Sequence, residues 1–195
     1  RPPARKRVNI AAAAAATVKV PAAAAELGLG RRQVTKLIGA GLLEVVDSEA
    51  PQPRITVASV ARIARLGKTA PPAGVSTAAV HLAPLQESGD TDRRWTGFRV
   101  GAQLPVEDLT KAWTRWWTMG RPQAEELING YLVGDISGVV PADLVGKVTG
   151  YESVAGGLIA FTVEPVEIPG LAWTRFKPGQ GSHWQMLHPD IDKDA

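Results

Sequence analysis

Four glycines decide what the N-terminal third of this chain can build. In "AAAAELGLGRRQVTKLIGAGLL", residues 22 to 43, Gly28 and Gly30 end an alanine-rich helix after barely two turns, and Gly39 and Gly41 end the next. Glycine inside a helix costs about 1 kcal/mol relative to alanine, so four at this spacing enforce two short helices joined by a tight turn. Pro21 suits the first turn of the first helix, where its missing N–H costs nothing. Ala24, Ala25 and Leu27 then form one apolar side, and Val34, Leu37 and Ile38 repeat it at the i, i+3, i+4 spacing of a buried stripe. "LLEVV" (Leu42 to Val46), a two-proline turn from Asp47 to Arg54, and "RITV" read as a β-hairpin. "VASVARIARL" (Val57 to Leu66) reads as a third helix, with a stripe through Val60, Ile63, Ala64 and Leu66 and Thr56 as its N-cap.

Charge divides the chain at about the same place. Residues 1 to 70 carry 12 Lys and Arg against 4 Asp and Glu, and residues 71 to 195 carry 10 against 15, so a net charge of +3 conceals a basic part and an acidic part. A basic segment suits a polyanion, because Lys and Arg that neutralise phosphates release condensed counterions. The same charge also fits a solvated surface with no partner.

The order helix, tight turn, helix, β-hairpin, helix resembles the winged helix-turn-helix of excisionases and MerR-type regulators. The residues that carry the likeness are "AAELGLG", "RRQVTKLIGAGLLEVV" and "RITVASVARIARL", about 50 of 195 positions. The resemblance implies a DNA-binding unit over residues 17–66 whose second helix reads a groove. With the apolar stripe inward, Arg31, Arg32, Gln33, Thr35 and Lys36 fall on the outer faces near that helix's N-terminus, where such helices meet base edges. Arg reads guanine and Gln reads adenine bidentately, so Arg32 and Gln33 are the first choices for bases, with Arg31 and Lys36 on phosphate. Gly30 stands where these families place a Ser or Thr cap, a weaker but acceptable choice. Gln52 and Arg54 of the wing are available to backbone or minor groove, whereas Asp47 and Glu49 repel phosphate and turn its tip away. Arg5, Lys6 and Arg7 form a basic arm able to follow a minor groove, or a solvated tail. The chain lacks the long dimerisation helix and cysteine ligands of MerR regulators, so promoter untwisting driven by an effector is not implied.

The remainder is read from composition and pattern. Residues 1–16 form the arm and an alanine tract, and residues 67–92, rich in Pro, Gly, Ser, Thr and Ala, form a linker. Residues 93–189 form an α+β domain with a mostly antiparallel sheet, and 190–195 a tail. Within that domain "PVEDLTKAWTRWWTMG" is a helix carrying Trp113, Trp116 and Trp117 on one face, and "RPQAEELING" a second helix. Strands fall in "YLVGDISGVV", "LVGKVTGYES" and "GGLIAFTVEPVEI", with a hairpin turn at Val154 to Gly157 and a last pair of strands around "KPGQGS". The expected fold class of the whole is therefore α+β.

Several functions are disfavoured at this level. The absence of cysteine removes disulfides, thiolate metal sites and a Cys nucleophile. His183 and His188 lack a third ligand of suitable type nearby, and no P-loop, Ser elbow or His-Glu-x-x-His motif occurs, so neither an enzyme nor a metal or other cofactor is expected. No apolar run is long enough for a membrane span and the alanine tract lacks the flanks of a signal peptide, so a cytoplasmic, nucleoid-associated protein is expected. The leading expectation is a sequence-specific binder of double-stranded DNA acting as a transcriptional repressor, with a homodimer through the C-terminal domain among the expected partners. The alternatives are an architectural DNA-binding protein of a mobile element (excisionase, partition or centromere-binding protein, phage packaging subunit) and a ligand- or protein-binding module. Arg93, Arg94, Arg99, Arg115, Arg121, Arg175 and Lys177 are candidates for a second DNA contact if they share a face.

Overall fold

The computed structural model describes residues 16–46, 52–154, 156–179 and 182–188. The first part runs β1 (Thr17–Lys19), α1 (Val20–Leu27), α2 (Arg31–Gly39), β2 (Arg54–Thr56) and α3 (Val57–Ala64). Gly28 closes α1 at φ 65°, its N–H and that of Leu29 returning to the carbonyls of Ala25 and Ala24. A side chain would be strained in that left-handed conformation, which accounts for the glycine. Thr56 caps α3 as expected, its hydroxyl oxygen accepting from the Ser59 N–H at 3.3 Å. Ala23, Ala24 and Leu27 of α1 pack with Val34 and Leu37 of α2 and Val60 and Ile63 of α3.

Three local expectations change. Ala25 is exposed and Ala23 takes its place in the stripe, while Ala64 is also exposed. The segment Leu42–Val46 does not form a full strand. Leu42 and Leu43 are drawn into the core, and only Val45 bridges to Ile55. Strand β2 instead pairs along its length with β1, in the register Thr17↔Thr56, Val18↔Ile55, Lys19↔Arg54. The expected hairpin partner of β2 is thus replaced by residues preceding α1.

The second part runs β3 (Gly67–Lys68), β4 (Thr77–His81), β5 (Gln86–Glu87), β6 (Trp95–Thr96), α4 (Val106–Thr114), β7 (Arg115–Thr118), α5 (Arg121–Glu126), β8 (Tyr131–Asp135), β9 (Val139–Val140), β10 (Val145–Val154), β11 (Leu158–Pro165), β12 (Thr174–Arg175) and β13 (Trp184–Leu187). A six-stranded sheet has the order β13-β4-β8-β10-β11-β7. Only β4 and β8 pair in parallel within it, so the fold is α+β with a mostly antiparallel main sheet.

Residues 67–92 are not a linker in the structure. They supply β3, β5 and the buried β4, which lies between β8 and β13. Local composition misleads here because "TAAVH" is short and gains its order from both neighbours. Ala78 and Val80 enter the core that also holds α1 to α3, and Ala79 enters a second cluster with Val133, Val140 and Leu187. A strand buried on both faces reads as an apolar run without alternation.

The helix expected from Pro105 to Gly120 stops at Thr114, and the chain continues as β7 on the edge of the sheet. Trp117 and Thr118 pair with Ile159 and Leu158 of β11, and this pairing overrides the helical spacing of the tryptophans. Trp113 alone of the three is fully buried. Trp116 donates its indole N–H to Asp90 Oδ2 at 2.6 Å, and Trp117 donates to the Trp113 carbonyl at 3.0 Å. β10 and β11 do pair as antiparallel neighbours across the expected turn, and Gly156 and Gly157 are both at positive φ. The strands flanking "KPGQGS" do not pair with each other: β12 joins β3 and β9, whereas β13 joins β4.

Candidate nucleic-acid interface

The open face of α2 carries Arg31, Arg32, Thr35 and Lys36, all exposed. Their positions follow from the 3.6-residue repeat once Val34 and Leu37 are buried. The Thr35 hydroxyl donates to the Arg31 carbonyl at 3.0 Å and keeps its lone pairs for an acceptor role. The open face is closed at its C-terminal end, where Pro84 stands so near Gly39 that a Cβ there would lie 2.8 Å from the proline Cγ. Only the first two turns are therefore clear for a partner.

Gln33 differs from its neighbours. It is half-buried, and its Oε1 accepts the Gly30 N–H at 2.8 Å, the half of a capping box that needs no side chain on the N-cap residue. Its carbonyl accepts from Ser137 Oγ at 3.2 Å. Gln33 thus sits on the flank of α2 toward the sheet, away from the open face on which sequence spacing places it with Arg32.

Arg31 and Gln52 line a common cleft of about 470 Å³ with Lys19 and Pro53, between the start of α1 and the wing. Arg54 lies beside it on β2, directly across from Lys19, and donates from Nε to Thr17 Oγ1 at 3.2 Å. Like charges directly opposed on a strand pair repel, so Lys19 and Arg54 favour an anion between or above them. Sequence reasoning passed over Lys19, because its place in the cleft depends on β1 pairing with β2 across 37 residues. Arg5, Lys6 and Arg7, and the wing-tip residues Asp47 and Glu49, lie outside the described residues.

The seven basic residues of the second part do not share one face. Arg93 donates to the Arg115 carbonyl, and burial pushes its guanidinium below the usual arginine range. Arg94 and Arg115 stack over Trp95 and Trp116. Arg175 and Lys177 do approach α2, in a second cleft with Lys68 and Gln33.

One buried polar cluster has no counterpart in the sequence reading. His81 Nδ1 and Asp135 Oδ2 lie 2.5 Å apart beneath Phe176, and Asp135 Oδ1 accepts the Gly138 N–H at 2.7 Å. Asp135 thereby fixes the turn that carries Ser137 against α2. No group of three potential metal ligands occurs among the described residues, and no helix there is long and apolar enough to cross a membrane. No protein-family model matches the chain, and neither a curated protein nor a solved structure does.

Proposed function

We propose that residues 17–66 are a winged helix-turn-helix unit that sets α2 into the major groove of double-stranded DNA, and that the chain is a sequence-specific regulator acting as a repressor. The observation that carries this reading is the concentration of Lys19, Arg31, Arg32, Lys36 and Arg54 around the open face of α2 and the adjoining wing cleft. A major groove admits one helix, and cations beside that helix meet the phosphates of its walls.

In this arrangement Arg32 reads a base edge, while Arg31 with Lys19 and Arg54 holds the phosphate strand on the wing side. Thr35 and Lys36 complete the contact one turn further along. Gln33 serves the helix, not the base. A bound duplex would block a promoter by occupancy alone.

The test is selection of bound genomic fragments with the purified chain, followed by footprinting. One preferred operator, with binding that weakens steeply with salt, supports a repressor. A palindromic footprint adds a homodimer, and an asymmetric one a monomer. Regularly spaced repeated sites that fill cooperatively point to an architectural role instead, and failure to retain any duplex at low salt overturns DNA binding.

A further inference from the structure

The second cleft, about 650 Å³, opens on the opposite flank of α2 from the wing. Arg31 lines the wing cleft and Gln33 lines this one. Residues two positions apart in a helix are separated by about 200° around its axis, so the clefts flank α2 on its two sides. The far wall of the second cleft comes from the C-terminal part of the chain, through Arg175, Phe176 and Lys177, with Lys68 of β3 beside them. No Asp or Glu is among the described residues that line it. Arg175 donates from Nη2 to the Leu27 carbonyl at 2.7 Å, which holds the end of β12 against the end of α1. Gly28 contributes open backbone, since a Cβ there would meet nothing within 4 Å.

We propose that this cleft is a second phosphodiester-binding site, contributed by the C-terminal part, for the DNA strand that the wing does not hold. The inference rests on α2 being the groove-reading helix. A helix in a major groove about 12 Å wide has one phosphate strand on each side. The wing cleft takes one strand through Lys19, Arg31 and Arg54, and Lys177, beside Arg175, takes the other. The apolar wall at Phe176 suits the deoxyribose faces between phosphates. The C-terminal part therefore adds affinity without adding base preference, because phosphate contacts carry position and not sequence.

The test measures binding of the full chain to its selected duplex across a range of NaCl concentrations. Replacing Lys177 by Ala should make the plot of log affinity against log salt shallower by roughly 0.9, the contribution of one lost phosphate contact. The ratio of affinities for the selected duplex and a base-substituted one should stay unchanged. An unaltered slope overturns the second site while leaving DNA binding by α2 intact. A wild-type chain that retains no duplex overturns both readings. Ethylation interference on the wild-type complex gives an independent readout: blocked phosphates on both strands flanking the α2 site support the clamp, and blockage on one strand only refutes it.

Discussion

Ser137 Oγ donates to the carbonyl of Gln33 at 3.2 Å, joining a turn of the sheet to the first turn of α2 across 104 residues of sequence. Through this bond the C-terminal part takes a hand in where α2 stands. The turn is held in its own right by Asp135 and by Gly138, whose carbonyl accepts from the Phe176 N–H at 2.9 Å.

Ser137→Ala is expected to lower stability by about 1 kcal/mol, the net value of one such bond. Ser137 sits at φ 55°, which Asn tolerates better than most residues. Ser137→Asn should therefore lose less than Ser137→Ala. Urea unfolding of both variants beside the wild type measures the difference.

Arg32 and Gln33, adjacent in sequence, should separate by readout. Arg32→Ala removes an exposed side chain, leaving stability within about 0.5 kcal/mol of wild type but costing roughly 1–3 kcal/mol of binding and relaxing preference at one base pair. Gln33→Ala should destabilise by about 0.5–1 kcal/mol through the lost bond to the Gly30 N–H, with base preference retained. Melting curves and competition with base-substituted duplexes distinguish the two, and a changed base preference in Gln33→Ala would return that residue to the reading face.

Gly39→Ala sets helix propensity against space. Alanine gains about 1 kcal/mol in a helix, but its Cβ would fall 2.8 Å from Pro84 Cγ, on a ring that cannot swing aside. A net loss of about 1–2 kcal/mol is expected, as for an overpacked site. Adding Pro84→Ala should recover most of it. A double-mutant cycle by chemical denaturation checks this, and simple additivity would rule out the contact as the cause.

Asp135→Ala leaves the Gly138 N–H and His81 Nδ1 without their carboxylate in a site where Asp135 is fully buried. At about 1–3 kcal/mol for each of the two groups left unsatisfied, the loss should be about 2–6 kcal/mol. Asp135→Asn retains an acceptor for Gly138 and should lose less. Thermal unfolding ranks the two, and a reversed order would show that the Gly138 bond is not what matters.

The Asp90 carboxyl is held below the usual carboxylate range, first by the Asp92 N–H at 2.9 Å and, among side chains, by the Trp116 indole. A folded-state value below the unfolded one contributes stability at neutral pH that disappears as pH falls through the folded value. Asp90→Asn should therefore be less stable than wild type at pH 7, with the gap narrowing below pH about 3.8, the ordinary aspartate value. Melting temperatures measured from pH 7 to pH 2 follow it, and a constant gap would show that ionisation is not involved.

The features legible in the sequence are those that short segments settle alone. Glycines at 28, 30, 39 and 41 set the ends of α1 and α2, Val34 and Leu37 chose the buried side of α2, and Thr56 capped α3. Each depends on backbone freedom, helical repeat or a bond three residues long. That also placed Arg31, Arg32, Thr35 and Lys36 on the open face.

Tertiary structure decided what local propensity leaves nearly balanced. Thr77–His81 became a strand because β8 and β13 supply hydrogen bonds on both edges, and the helix through Trp113 ended where β11 offered Trp117 a partner. Lys19 joined the wing cleft, Gln33 turned to the sheet, and Lys68, Arg175 and Lys177 gathered beside α2 through contacts between distant segments. A few tenths of a kcal/mol of intrinsic preference per residue cannot withstand a paired backbone and a buried side chain. The sequence by itself determined α2 and its open face, and the packing of the sheet against that helix decided which basic residues stand beside it.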